Sequence, residues 1–360
     1  MKKKIRVLVV DDSAFMRKVI TDLLQVDERI QVIATARNGK DAIEKIAKHT
    51  PDVMTLDVEM PVMNGLDTVK RVMETMPLPI VMVSSTTREG ETNTFQAIDD
   101  GAVDFIAKPS GPISLDLHKI QDDLIEKVIS AAGIQLTKMM NDNRAKQPLV
   151  QDNHLLCLTK SHAAKSTSLA NKIIAIGTST GGPKALQQVL TNLPKNLNAP
   201  LLVVQHMPAG FTQSLANRLN GMSELFVKEA EDGEVVKKGV AYIAPGDYHL
   251  TVQKMGLSLV IKLDQSPPQN GHRPSVDVMF ESLCSLTNYT KVAVIMTGMG
   301  SDGTEGLLRL KQSGNCYAVS ESEETAIVYG MPKAAANTNQ VDEIVPLTGV
   351  AEAIVRHCLV

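Results

Sequence analysis

Largely apolar runs of four to six residues recur along this 360-residue chain, and each stops at a residue with chemistry of its own. Ile5–Val10 stops at Asp11 and Asp12, Val53–Leu56 at Asp57, Ile80–Val83 at Ser84, and Val103–Ala107 at Lys108. Ile173–Ile176 runs into a glycine-rich turn around Ser179, Leu201–Val204 into Gln205 and His206, and Val292–Met296 into a turn holding Asp302. Runs this short, with room for helices between them, read as buried parallel strands of right-handed βαβ units. Parallel strands deliver the residues that follow them to one sheet edge, where open α/β sheets bind ligands and do chemistry. The chain is therefore expected to be α/β, with its site residues at strand ends.

The most specific of these ends is Gly177-Thr178-Ser179-Thr180-Gly181, a G-x-S-x-G elbow followed by Pro183, which opens a helix expected to reach Leu193. A serine lifted above a sheet edge beside unpaired helix N–H groups is placed for acyl transfer. The same pentapeptide also suits a turn that binds phosphate or only packs, so its partners decide. A serine needs a base, and the base needs an orienting acid. His206 and Asp302 supply both from neighbouring strand ends. The order Ser179, His206, Asp302 differs from the Ser, acid, His order of an ordinary α/β-hydrolase, which argues against that fold and leaves the chemistry intact. Taken singly, Asp302 also reads as the cap of a helix from Thr304 to Leu310, and His206 as a satisfied loop histidine. His249 falls in an expected β-hairpin and reads as structural. His272 and Arg273 precede a helix expected over Pro274 to Leu286, where Arg273 either holds a carboxylate-bearing substrate or is solvated.

In the N-terminal third, Asp11, Asp12 and Asp57 are expected to converge closely enough to share a hard divalent cation such as Mg²⁺. The hydroxyl of Ser84 and the amine of Lys108 complete a four-position constellation at that edge.

On these residues, the first 130 positions resemble a two-component receiver domain. The resemblance rests on Asp11-Asp12, Asp57, Met60-Pro61-Val62-Met63-Asn64-Gly65, Ser84 and Lys108-Pro109. Residues 172–360 resemble the catalytic domain of the CheB family of chemotaxis protein-glutamate methylesterases. Here the motifs are Gly177 to Gly182, Gln205-His206-Met207-Pro208, Gly271-His272-Arg273-Pro274-Ser275-Val276-Asp277 and Thr297-Gly298-Met299-Gly300-Ser301-Asp302-Gly303. The resemblance implies a flavodoxin-like, five-stranded receiver and a doubly wound, mostly parallel catalytic domain with a β-hairpin. It implies Asp57 as phosphoacceptor, with Asp11, Asp12 and Asp57 around Mg²⁺ and Ser84, Phe105 and Lys108 as the switch. Phe105 equally fits plain core packing. It further implies Ser179 as nucleophile, His206 as base, Asp302 as orienting acid, and an oxyanion hole from N–H groups near Met299 and the Gly181-Gly182 helix start. His272 and Arg273 are substrate-binding candidates. Methylated chemoreceptors are the implied substrate and a chemotaxis histidine kinase the implied phosphodonor. Thr178 departs from the family, which usually carries a smaller residue before the nucleophile.

Residues 131–171 are mostly polar and read as a linker. A net charge of −3, no long basic run, five Tyr, six Phe and no Trp argue against nucleic-acid binding. No stretch approaches the ~20 apolar residues of a membrane span, and the N-terminal Lys2-Lys3-Lys4 leads into no cleavage-like site. The four cysteines show neither metal-ligand nor redox spacing, which points to a reducing cytoplasm. Three classes stay open on the sequence: a phosphorylation-regulated esterase with glutamine deamidation as a second activity, a catalytically silent receiver-controlled interaction protein, and an esterase for small soluble esters.

Overall fold

A computed structural model describes residues 3–108, 117–134 and 171–358. The first unit alternates β1 (Ile5–Val10), α1 (Ala14–Gln25), β2 (Ile30–Ala36), α2 (Gly39–His49), β3 (Val53–Asp57), α3 (Gly65–Thr75), β4 (Ile80–Ser84), α4 (Arg88–Asp99), β5 (Asp104–Ala107) and α5 (Leu117–Ala132). Its sheet has the order β2-β1-β3-β4-β5, with every pairing parallel. β1 and β3 are neighbours, so Asp11, Asp12 and Asp57 emerge side by side. Ser13, Asn38, Asn64 and Thr87 each accept a backbone N–H at the start of the helix that follows, which fixes where the strand-end loops stop.

The second unit runs β6 (Asn171–Thr178), α6 (Gly182–Leu190), β7 (Leu201–Gln205), α7 (Phe211–Met222), β8 (Phe226–Glu229), β9 (Val240–Ile243), β10 (His249–Met255), β11 (Ser258–Asp264), α8 (Val276–Leu283), β12 (Tyr289–Ile295), α9 (Thr304–Gln312), β13 (Cys316–Glu321), α10 (Met331–Asn337), β14 (Glu343–Val345) and α11 (Leu347–Cys358). Seven strands form a parallel sheet in the order β14-β13-β12-β6-β7-β9-β8, and β10 and β11 form the separate antiparallel hairpin. β6 lies between β12 and β7, so Ser179 stands between the strand ends that carry Asp302 and His206. The central strands are apolar on both faces, as a sheet covered on both sides requires. Ile174, Ile176, Val203 and Val294 pack on one side, and Ile173, Ala175, Val204 and Ile295 on the other.

Helix ends differ from the sequence reading where caps intervene. α8 starts at Val276 rather than Pro274 because the Ser275 hydroxyl accepts the Val278 N–H. α6 stops at Leu190, short of Leu193, and α9 continues to Gln312. The linker read over 131–171 lies, apart from its ends, outside the described residues. α5 runs to Ala132 and β6 begins at Asn171.

The two units share apolar packing. α4 lies against α6 and α7. The Phe105 ring sits 4.4 Å from that of Phe211, centroid to centroid, and joins the core of the first unit to the core around β6. Arg218 pairs with Asp99, and the Ser214 hydroxyl donates to Glu91, at the edge of this seam. No helix among the described residues is long and apolar enough to cross a membrane.

Candidate active site

The elbow after β6 is bolted from both sides. The Ser179 N–H and the Thr178 hydroxyl both donate to the Thr297 carbonyl, at 3.0 and 2.9 Å. The Ser179 carbonyl accepts from the Gly182 N–H at 2.7 Å and from the Gln205 side-chain amide at 3.0 Å. Thr178 thus serves as an anchor to the end of β12. Gly181 has φ of 77°, a left-handed conformation that glycine adopts at least cost and that turns the chain sharply into α6. Gly298 is required for space: a Cβ there would stand 2.9 Å from the Ser179 Cβ and 3.1 Å from its nitrogen. Gly298→Ala is accordingly expected to displace Ser179 and, if that serine carries the chemistry, to cut kcat by about 10²-fold, the penalty of a misplacement of about 1 Å. Undiminished turnover in this variant would show that the elbow yields without consequence.

His206 and Asp302 are joined, Nε2 to Oδ2, at 2.7 Å. Asp302 is buried, and the same oxygen accepts the Val276 N–H at 2.7 Å. Its other oxygen accepts the Ser275 hydroxyl at 2.8 Å and the N–H groups of Asp277 and Gly303, both at 3.1 Å. Burial alone would raise this carboxyl. The hydrogen bond and charge of the His206 ring, with the Val276 and Asp277 N–H groups, outweigh burial and hold it well below the usual carboxylate range. The cap reading of Asp302 is therefore corrected in its location. Gly303 starts α9 with no side-chain cap, and Asp302 instead sits at the start of α8. Asp277, next to it, is pushed up to about 6 by burial, against the Gly306 N–H and with the Asp302 charge.

With Nε2 committed to Asp302, the free basic nitrogen of His206 is Nδ1, which is buried and has no hydrogen-bond partner among the described residues. The Ser179 hydroxyl likewise has no hydrogen bond among those residues, so the acid–base leg is made and the serine leg is open.

The oxyanion candidates separate. The Gly182 N–H is spent on the Ser179 carbonyl, which removes it from the set, and the Gly298 N–H is spent on Val328. The Met299 N–H carries no hydrogen bond among the described residues. The Met299 side chain touches the Ser130 hydroxyl and lines a groove of about 490 Å³ with Arg29, Gln121, Asp122 and Glu126. The stretch of α5 from Gln121 to Ser130 therefore runs past Met299. His272 lies flat on His206, with ring centroids 3.8 Å apart. Arg273 points elsewhere and donates to the carbonyls of Gln265 and Ser266, at 3.0 and 3.1 Å. His249 is buried in the hairpin with Nε2 at the Pro267 carbonyl, as a structural histidine.

Two contributors escaped the sequence reading. Ser275 buttresses Asp302, and Thr297 braces the elbow, its hydroxyl donating to Thr180 and accepting from the Val328 N–H. Each stands inside a quoted motif, but neither has a local signal for its role.

At the edge of the first sheet, Asp11, Asp12 and Asp57 bring ligand oxygens within 4.8 Å of one another. Lys108 Nζ stands 2.8 Å from Asp57 and 3.1 Å from Asp11. Three carboxylates against one ammonium leave two formal negative charges, and a hard divalent cation fits that donor set. Burial raises the Asp57 carboxyl to about 6, against Lys108 and with the Asp11 charge. Ser84 is buried, its hydroxyl donating to the Gly90 carbonyl at 3.1 Å, so it is turned toward α4. Phe105 is buried in the seam with Phe211, and its carbonyl accepts from the buried Lys127 amine at 2.7 Å.

Comparison with known proteins adds to this geometry. Residues 174–354 match the CheB methylesterase family model, and residues 7–119 match the response regulator receiver domain. The chain is 58% identical to a protein-glutamate methylesterase/protein-glutamine glutaminase of Halalkalibacterium halodurans, over 99% of each chain. It is 50% identical to the Bacillus subtilis protein of the same name, over 97% of each. Among solved structures, the CheB methylesterase catalytic domain of Thermotoga maritima is 44% identical and covers 52% of this chain and 100% of its own, with a TM-score of 0.51.

Proposed function

Because this chain belongs to the CheB methylesterase family and carries a receiver domain, we propose that it is a phosphorylation-regulated protein-glutamate methylesterase and glutaminase acting on chemoreceptors. The observation that carries the reading is the 2.7 Å pair of His206 and Asp302 beside the elbow serine. A silent scaffold would have no use for an acid held ionised by five donors.

Ser179 attacks the γ-carbonyl of a methylated glutamate while His206 takes the hydroxyl proton on Nδ1. Asp302 holds the ring and stabilises the imidazolium. The Met299 N–H faces the developing oxyanion, a contribution of roughly 3 kcal/mol for one donor. The imidazolium returns its proton to the leaving methoxide, methanol departs, and water hydrolyses the acyl-enzyme by the same steps in reverse. A glutamine presents the same carbonyl and releases ammonia instead.

In the receiver, Asp57 is the phosphoacceptor and a histidine kinase of the chemotaxis pathway the donor. Asp11, Asp12 and Asp57 would hold Mg²⁺, which neutralises charge on the transferring phosphoryl group. Lys108 pairs with the added charge, and Ser84 leaves the Gly90 carbonyl to reach it. We divide the chain into a receiver over 1–130, a linker over 131–171 and a catalytic domain over 172–360, a reading that the presence of two separate parallel sheets supports. Among the described residues Cys284, Cys316 and Cys358 form no disulfide, which suits a cytoplasmic setting.

Methanol release from receptor-containing membranes tests the reading. A small phosphodonor with Mg²⁺ is expected to raise the rate about 5- to 150-fold, the span of typical coupling energies, and to leave Asp57→Asn unchanged. Because α5 lies against Met299 and α4 packs on α6 and α7, Arg218→Ala, which breaks the pair with Asp99, is expected to raise the rate without phosphodonor. Absence of methanol under every condition would overturn the assignment.

A further inference from the structure

One continuous segment supplies much of the support around the His206–Asp302 pair. Ser275, Val276 and Asp277 supply three of the donors that hold Asp302. Three residues upstream of Ser275, His272 covers the His206 ring, the two planes inclined by 10° and the centroids 3.8 Å apart. The backbone that carries His272 is itself constrained. Gln269 and His272 exchange both of their backbone hydrogen bonds, at 2.9 and 3.0 Å, which closes a tight turn. The Asn270 side chain ties the turn to Asp277 at 3.1 Å, and Arg273 ties it to Gln265 and Ser266.

Among the described residues the His206 ring edge is held at Nε2 alone, and the esterase reading needs Nδ1 free for the serine. One hydrogen bond leaves an imidazole free to rock about the axis through that bond. A flat partner on its face removes that freedom, because tilting either ring opens the stack.

We propose that His272 is a positioning residue for the esterase reaction: its ring, stacked on His206, holds the general base in the plane that joins Asp302 to Ser179. The inference rests on the esterase reading above and adds a residue outside the triad. The charge state agrees with the geometry. Burial, helped by the neighbouring His206 and Lys127 and opposed by Asp302, pushes His272 down to about 4. Its ring is therefore neutral where the enzyme works and does not repel the imidazolium that forms on His206.

The test uses the full-length, phosphodonor-activated protein on methylated receptor membranes, with kcat and KM measured separately. Wild-type turnover establishes the esterase reading, so the comparison among variants bears on His272 alone. His272→Leu fills the volume without a flat face, and it is expected to lose roughly 10- to 100-fold in kcat with KM within about twofold, as a misaligned base does. His272→Phe restores a flat face without nitrogens and is expected to recover most of that loss. Thermal melting of both variants separates misfolding from misalignment, and His272→Met, flexible and apolar, replaces His272→Leu if the latter melts below the assay temperature. Wild-type kcat in the Leu or Met variant overturns the proposal. So does a Phe variant as slow as Leu, which would put the role on the ring nitrogens. A rise in KM at unchanged kcat overturns it as well and makes His272 a substrate contact.

Discussion

Ser179→Ala is expected to release no measurable methanol from methylated receptor and to melt at the wild-type temperature. Both halves follow from the elbow. The Ser179 hydroxyl makes no hydrogen bond among the described residues, so its removal orphans nothing. The backbone amide and carbonyl stay bound to Thr297, Gly182 and Gln205. Loss of a nucleophile in a comparable serine hydrolase costs about 10⁶ in kcat, and removing further triad members adds little because they act as a unit. Ser179→Ala combined with His206→Ala should therefore be no slower than the worse single variant. Additive losses would mean that the two residues act independently, and clear residual turnover would place the nucleophile elsewhere.

Asp302→Asn has the second largest effect, about 10⁴ in kcat, through the wrong imidazole tautomer. The structure adds a stability cost. One carboxylate oxygen accepts from His206 and Val276, and the other from Ser275, Asp277 and Gly303. An asparagine must turn its NH₂ group toward one of these donor sets. Each buried donor left unmatched costs about 1–3 kcal/mol, so this variant, unlike Ser179→Ala, should melt several degrees early. The pH behaviour has the matching sign. A carboxyl held below its unfolded value contributes stability that is present above the unfolded pKa and is lost as pH falls through the folded one. The gap in stability between wild type and Asp302→Asn should therefore narrow in acid. A loss of less than tenfold in kcat would reduce Asp302 to a fixture at the start of α8.

What could be read from the sequence was whatever short-range pattern fixes. The runs before Asp11, Asp57, Ser179, His206 and Asp302 are all strands, and a parallel sheet sends all their ends to one edge. The G-x-S-x-G pattern located the strand-to-helix turn at Ser179 because that turn is a local event. The support around it was not legible, since it is built between segments far apart in the chain. Thr297 braces a turn 117 residues upstream, and Ser275 reaches 27 residues forward to Asp302. The cap assigned to Asp302 shows the limit clearly. Helix-start chemistry was the right physics, and the sheet order determined which helix received it. Arg273 illustrates the opposite case, a guanidinium suited to a substrate carboxylate and engaged by two loop carbonyls.

The contact between Phe105 and Phe211 bears on how such two-part proteins diverge. One ring sits on β5, three residues before Lys108, and the other opens the helix that follows His206, with their centroids 4.4 Å apart. Regulator and enzyme are thus not freely interchangeable parts. A hybrid that joins this receiver to a cousin's esterase half inherits a mismatched ring pair, and its resting leakiness, measured as turnover without phosphodonor, should track how well position 211 of the new half accepts Phe105. Lineages that alter one of the two positions are then under pressure to alter the other.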